Sequence, residues 1–244
     1  MKKALIIGGS GGIGFELAKT LSRKGINVEV TSYNGYASCK SKIKSEKLSN
    51  IHITKVDLSN SQDLKSFVEE TIIKGPKIDF LIHTLTSKEL ATPSRDLSWE
   101  RYENGINLEV KTLFEIIKAL RKSKKPEDKI SSVVVLTEYC IGKPPSGLSP
   151  YIVTKNALMG LVKSFVSDLS KENFRFNMVS PGMVNTPLIS ELPKKLIELN
   201  EEKNPLKRIG NPQDIVNTIV FLLSEESSYI NGANILVNGG NVII

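Results

Sequence analysis

Residues 4–7, Ala-Leu-Ile-Ile, run directly into Gly8-Gly9-Ser10-Gly11-Gly12-Ile13-Gly14, after which residues 15–21 resume a helical pattern. A short apolar run without polar alternation suits a strand buried on both faces of a parallel sheet. Glycines between such a strand and a helix let backbone N–H groups close on a pyrophosphate at the helix N-terminus. Strand, glycine turn and helix in this order predict a nucleotide-binding βα unit, and with it an α/β chain.

The alternation continues along the chain. Further strands are predicted at 28–31, 51–56, 78–82, 133–136, 176–179 and 235–237, and helices at 61–73, 108–121, 151–170 and 215–223. Strands and helices in turn throughout predict a Rossmann-type doubly wound, seven-stranded parallel sheet with helices on both faces. The 244 residues are 40% hydrophobic, enough for one full core, and carry no internal repeat or low-complexity linker. Residues 1–244 are therefore read as a single domain. The mixed, irregular stretch 186–205 follows a predicted strand end, where such sheets bind ligands, and is read as a lid over the substrate.

Composition narrows the partners. Cys39 and Cys140 match no metal or redox spacing, which points to a reducing compartment, and no metal site is expected. Met1-Lys2-Lys3 precedes only four apolar residues, and no run approaches a membrane span, so a cytoplasmic protein is expected. The formal charge is +7, with lysines at 40, 42, 44 and 47 and again between 118 and 129. Such clusters fit a solvated surface or an acidic partner; without a reading motif or interleaved aromatics, nucleic acid is not expected.

Tyr151 and Lys155 stand four apart in an apolar-periodic run that includes Leu158, Leu161, Val162 and Phe165, so they share one helix face. An ammonium beside a phenol favours the phenolate, which turns tyrosine into a usable proton donor to a carbonyl oxygen. The spacing alone is common. Its weight comes from the nucleotide turn elsewhere in the chain.

Taken together, these residues resemble a short-chain dehydrogenase/reductase over essentially the whole chain. Gly8, Gly12, Ile13 and Gly14 match that family's glycine turn, Asp57 its adenine-binding carboxylate, and Asn107 the asparagine that orders a proton-relay water near the lysine. Tyr151 and Lys155 match the catalytic acid and its helper; Pro181, Gly182 and Thr186 match the segment flanking nicotinamide; 205–212 and 238–240 match the C-terminal signature. The resemblance also implies cofactor contacts from Ser10, Ser32, Tyr33, Leu58, Thr84 and Val184. Within the family, the compact length and the 208–221 pattern are most similar to bacterial 3-oxoacyl-[acyl-carrier-protein] reductases, although sugar, polyol and steroid reductases share these features.

Three departures stand out. The family's Asn-Asn-Ala-Gly after the fourth strand is His83-Thr84-Leu85-Thr86 here, and His83 is read as a packed replacement for Asn rather than a base. The catalytic serine, thirteen residues before the tyrosine, is Glu138. An ionised carboxylate only accepts hydrogen bonds and would repel a developing oxyanion. Three outcomes stay open: a protonated Glu138 acts as donor, Thr137 replaces it, or the family's reaction is lost. The second strand ends in Ser32-Tyr33 where NAD-preferring members carry Asp, which favours NADPH over NADH, with Lys40 or Lys42 as candidate phosphate partners.

The function implied by the resemblance is NADPH-dependent reduction of a 3-oxoacyl thioester on acyl carrier protein by a homotetramer. Lys129 and Lys171 would dock the acidic carrier beside the active-site mouth. The alternatives are a catalytically silent subunit pairing with an active reductase, and a reductase of another small carbonyl compound.

Overall fold

The computed structural model describes residues 1–87, 91–190 and 192–243. Seven strands, β1 (Lys3–Ile7), β2 (Asn27–Ser32), β3 (Ile51–Lys55), β4 (Phe80–His83), β5 (Ile130–Val135), β6 (Phe174–Pro181) and β7 (Asn234–Val237), pair in parallel in the order β3-β2-β1-β4-β5-β6-β7. This is the doubly wound sheet that the alternation predicts. The strand order reverses between β1 and β4, so the connections leaving these two neighbours part to opposite faces and leave a crevice at their C-terminal ends.

The two faces are packed by different helices, and β1 shows how the sequence sorts them. Leu5 and Ile7 join a core with α5 (Thr112–Ser123) and α6 (Ser149–Leu169), through Leu113, Ile116, Leu158, Val162 and Phe165. Ala4 and Ile6 point the other way, into a core with α1 (Gly12–Arg23) and α8 (Pro212–Leu223), through Leu17, Leu21, Ile215 and Ile219. Because successive strand residues face opposite sides, one uninterrupted apolar run serves both layers. Each fully buried aliphatic side chain contributes roughly 1.5–3 kcal/mol of transfer free energy.

Several elements differ from the sequence reading. Residues 36–45, left without a helix there, form α2 (Tyr36–Ser45). The helix predicted at 61–73 is α3 (Ser61–Phe67) continued by a π-helical turn, Val68–Ile73. The helix predicted from 108 starts earlier: α4 (Trp99–Gly105) runs through a second π-helical turn, Ile106–Lys111, into α5. The stretch 186–205, read as irregular, contains α7 (Lys194–Lys203), which buries none of its residues. Helices that bury little or no apolar stripe leave only a weak period in the sequence.

The C-terminal segment is tied to the sheet by polar bonds. Just after β5, Glu138 is 2% exposed, and its carboxylate accepts hydrogen bonds from Asn238 Nδ2 at 3.0 Å and Asn241 Nδ2 at 2.8 Å. Asn238 Nδ2 also donates to the Val242 carbonyl at 3.0 Å, which folds the tail after β7 back on itself. Val242 then covers Gly142, where a side chain would collide with it.

Burial raises the Glu138 pKa above its ordinary 4.5, while the two asparagine amides pull it down less strongly. A group with a raised native pKa keeps its proton when the unfolded chain has released it. Its stabilising contribution is full below the unfolded pKa and is lost as pH rises through the native value. Wild type is therefore expected to lose stability relative to Glu138→Gln as pH is raised from below 4.5 towards neutrality. Urea denaturation of both proteins across that range checks this, and a gap that does not vary with pH would contradict it.

Candidate active site

The crevice at the switch point holds about 470 Å³ and is lined by Gly8, Ser10, Ser32, Tyr33, Asp57, Leu58 and Thr84, seven of the positions expected to contact a cofactor. Gly8 has φ +80°, and a β-carbon there would lie 2.7 Å from the Leu85 Cα. Only glycine serves both the left-handed backbone and the close approach. Thr84 Oγ1 donates to the Ile7 carbonyl at 3.0 Å, and the Gly8 N–H donates to Thr31 Oγ1 at 3.0 Å. The turn is thus held from β2 and from the end of β4.

Among the described residues no side chain caps the N-terminus of α1, so the first-turn N–H groups of Gly12, Ile13 and Gly14 face an anionic ligand's position without a competing acceptor. Thr186 lies over Gly12, at 2.6 Å from where a β-carbon would stand, and brings the segment after β6 onto the glycine turn. Pro181 ends β6, Gly182 packs on Asn238, and buried Val184 bridges to Gly210. An uncapped helix start, a glycine cradle and a crevice reaching Asp57 fit a dinucleotide.

At the crevice end formed by the segments after β2 and β3, Ser32 donates to Ser10 Oγ at 2.8 Å, and Asp57 accepts from the backbone N–H and hydroxyl of Ser59. Among the described residues, no lysine or arginine lines the crevice. Lys40 stands over the Tyr36 ring and Lys42 over the Phe15 ring, so neither proposed phosphate partner reaches it here.

Tyr151 and Lys155 share the inner face of α6, with the Lys155 Nζ 5.8 Å from the centre of the Tyr151 ring. Thr137, 5% exposed two residues beyond β5, accepts from the Tyr139 N–H at 3.5 Å, and its hydroxyl is near enough to the Tyr151 side chain to lower its pKa. Lys155 Nζ donates to the carbonyls of Leu85 (3.3 Å) and Val135 (3.4 Å) and forms an ion pair with Glu109 Oε2 at 2.7 Å. Both charged side chains are buried, at 2% and 0% exposure. The other Glu109 oxygen accepts from the Ser87 N–H at 2.7 Å and the Ser87 hydroxyl at 3.1 Å. His83 is buried, and desolvation lowers its pKa to about 3. Its neutral ring donates from Nε2 to the Glu109 carbonyl at 3.1 Å, which makes it a structural group and not a base.

Two expected catalytic residues lie elsewhere. Asn107 is exposed, while Glu109, two residues on in the π-helical turn, points inward to Lys155. Residues two apart on a helix face nearly opposite ways, and the wide turn carries 109 rather than 107 into the core. Glu138 faces Asn238 and Asn241, so the hydroxyl beside Tyr151 belongs to Thr137. Thr137 is extended and Glu138 opens a 3₁₀ turn, Glu138–Cys140, and this change of backbone separates the neighbours. Glu109 was missed by sequence reasoning, yet a signal existed: it falls in register with Leu113, Ile116 and Ile117, a carboxylate on an apolar stripe that needs a buried partner.

The electrostatics also differ from those of an isolated Tyr–Lys pair. Burial opposes the Lys155 ammonium, but Glu109 and Tyr151 outweigh it and raise the Lys155 pKa. Burial raises the Tyr151 pKa; Lys155 and Thr137 pull it down, and Glu109 pushes it up. The net direction is upward, against the lowering expected from Lys155 alone. Burial likewise pushes the Cys140 thiol up, away from nucleophile chemistry.

The expected docking lysines are far from this cluster. Lys129 immediately precedes β5, and Lys171 lies just before β6. Tyr151 and Thr137 stand at the C-terminal ends of the strands, so a six-residue strand at ~3.3 Å per residue puts Lys129 roughly 20 Å away at the opposite edge. Within one chain the two lysines cannot flank the Tyr151 site. Of the remaining expectations, Glu191 of the 186–205 segment and Ile244 of the tail lie outside the described residues. No helix among the described residues is long and apolar enough to cross a membrane, and no group of three or more potential metal ligands comes together among them.

Comparison with known proteins places this geometry in context. Residues 8–241 match a family model described as enoyl-(acyl carrier protein) reductase. The chain is 31% identical to the 3-oxoacyl-[acyl-carrier-protein] reductase FabG of Buchnera aphidicola, over 98% of this chain and 96% of the relative. It is 32% identical to tropinone reductase-like 3 of Erythroxylum coca, over 98% and 92%. Among solved structures, a short-chain dehydrogenase/reductase from Brucella melitensis superimposes with a TM-score of 0.87 at 26% identity, covering 100% of this chain and 97% of that one. A Francisella tularensis short-chain dehydrogenase family protein does so at 0.83 and 27%, covering 99% and 98%. Fold, nucleotide crevice, Tyr–Lys face and these likenesses agree: the chain belongs to the short-chain dehydrogenase/reductase family of NAD(P)H-dependent oxidoreductases.

Proposed function

We propose that this protein reduces the 3-oxo group of an acyl thioester carried on acyl carrier protein, with NADPH as the reductant. The observation that carries the reading is the placement of Thr137 against Tyr151, with Lys155 behind it, in a chain similar to FabG over nearly its whole length. Reduced nicotinamide, when bound, supplies the hydride. Tyr151 gives its phenolic proton to the carbonyl oxygen, and Thr137 donates a hydrogen bond to the same oxygen as charge develops on it. Glu138, engaged by two asparagines, keeps its carboxylate away from that oxygen.

Leu188, Leu192, Leu196 and Leu199, on and before α7, are all more than a third exposed. They give the lid an apolar surface suited to an acyl chain. At the position where NAD-preferring members carry Asp stands Ser32, paired with Ser10, so two hydroxyls replace a carboxylate that would repel a 2′-phosphate, which favours NADPH. Half-exposed Phe114 on α5 and Val153 on α6 supply the apolar surface for assembly into a homotetramer. The silent-subunit reading rested on Glu138 coinciding with the altered 83–86 segment; Thr137, near Tyr151, offers a hydroxyl in place of the serine's and favours the active reading.

Absorbance of NADPH during incubation with 3-oxoacyl, enoyl and small ketone substrates tests the assignment. The 3-oxoacyl thioester is expected to turn over fastest; oxidation of NADPH only with the enoyl thioester or the ketone would overturn it. Tyr151→Phe is expected to lower kcat by roughly 10²–10⁴-fold and Thr137→Val by roughly 10²–10³-fold. Glu138→Ala should cost far less than either. Ser32→Asp is expected to reverse the cofactor preference to NADH, read as the ratio of kcat/KM for the two nucleotides.

A further inference from the structure

We infer that Glu109 is a positioning residue that neutralises the buried Lys155 charge, and so keeps Tyr151 protonated and biases the site towards reduction. The geometry pairs the Glu109 carboxylate with the buried cation. That carboxylate meets the ammonium at 2.7 Å through one oxygen and accepts two hydrogen bonds from Ser87 through the other.

The titratable groups around the pair can be named from each element. From β4 comes His83, neutral at its low pKa of about 3. From the turn after β5 come Tyr139 and Cys140, both with pKa raised by burial and so uncharged at neutral pH, and Glu138, turned to its asparagines. From the π-helical turn comes Glu109, and from α6 Tyr151 and Lys155 themselves.

The buried charge count follows. With Glu109 ionised, Lys155 protonated and Tyr151 neutral, the cluster carries no net charge, and loss of the phenolic proton leaves it at minus one. Without the carboxylate the cluster begins at plus one, and the same proton loss brings it to zero. A net charge in a desolvated site is costly, so the carboxylate reverses which protonation state the surroundings favour. The upward shift of Tyr151 has the same direction. A neutral phenol is the form that donates a proton as hydride reaches a carbonyl carbon; alcohol oxidation needs the phenolate to accept one. The consequence for reaction direction rests on the reductase reading above, whereas the effect on Tyr151 does not.

The test titrates Tyr151 by the absorbance of its ionised phenol, in protein without substrate or cofactor, with Tyr151→Phe counterparts subtracted. In wild type, Tyr151 is expected to ionise above an ordinary tyrosine, at about 10. Glu109→Gln is expected to move that ionisation down by at least about one unit, the usual effect of a close charge, while Glu109→Asp stays near wild type. If the enzyme is active, the ratio of oxidation to reduction at neutral pH should rise roughly tenfold or more in Glu109→Gln, one unit being a factor of ten. An unmoved Tyr151 titration in folded Glu109→Gln would overturn the inference. Should that variant not fold, a wild-type Tyr151 ionising below an ordinary tyrosine would overturn it equally. A chain that reduces none of the substrates yet shows the shifted titration would refute the function and leave Glu109 in its role.

Discussion

The Lys155–Glu109 ion pair lies inside the protein, and everything around the reacting groups is arranged to make that tolerable. A buried pair survives only if its remaining hydrogen-bonding capacity is met, and removing one partner typically costs about 3–5 kcal/mol. Here α6 supplies the cation, the π-helical turn before α5 the anion, and the ends of β4 and β5 the rest, through Leu85, Ser87 and Val135. Four segments distant in sequence are joined at one point, and Tyr151 is positioned by the same helix that brings in Lys155.

The pair also accounts for the unusual segment after β4. Where the family carries Asn-Asn-Ala-Gly, this chain has His83-Thr84-Leu85-Thr86, followed by Ser87. Each of four positions has a contact that explains it. His83 holds the Glu109 backbone, Thr84 fastens the glycine turn, Leu85 offers its carbonyl to Lys155 while its backbone presses on Gly8, and Ser87 binds the Glu109 carboxylate. Residues 83–87 and 109 form one coupled set, because a buried carboxylate at 109 needs the donors that this segment brings to it.

Glu138 follows a similar logic with a different outcome. At the position of the family's serine, its carboxylate would sit badly beside an oxyanion. Turned away, it has two amide donors and anchors the segment after β7 to the end of β5. The hydroxyl near Tyr151 belongs to the preceding residue, which is still extended where Glu138 opens the 3₁₀ turn. Parallel pairing has a further consequence for Lys129 and Lys171: residues that enter strands lie at the edge opposite the crevice, however near they are in sequence to the active-site strands.

The sequence by itself determined the architecture and the nucleotide crevice. Both rest on local rules: apolar runs that must be covered on two faces, glycines where a side chain cannot fit, and a four-residue spacing that puts Tyr151 and Lys155 on one face. It was silent on α2 and α7, whose short or absent buried stripes leave little period to read. What only the tertiary structure decided was the direction of side chains relative to distant partners. Glu109 and Asn107 stand two residues apart in a π-helical turn, Thr137 and Glu138 are adjacent at the start of a 3₁₀ turn, and in each pair the turn sends one towards Lys155 or Tyr151 and the other away. The cost of a buried charge depends on which donors the fold brings within 3 Å of it, and those donors, Ser87, Lys155, Asn238 and Asn241, lie between 22 and 103 residues away along the chain.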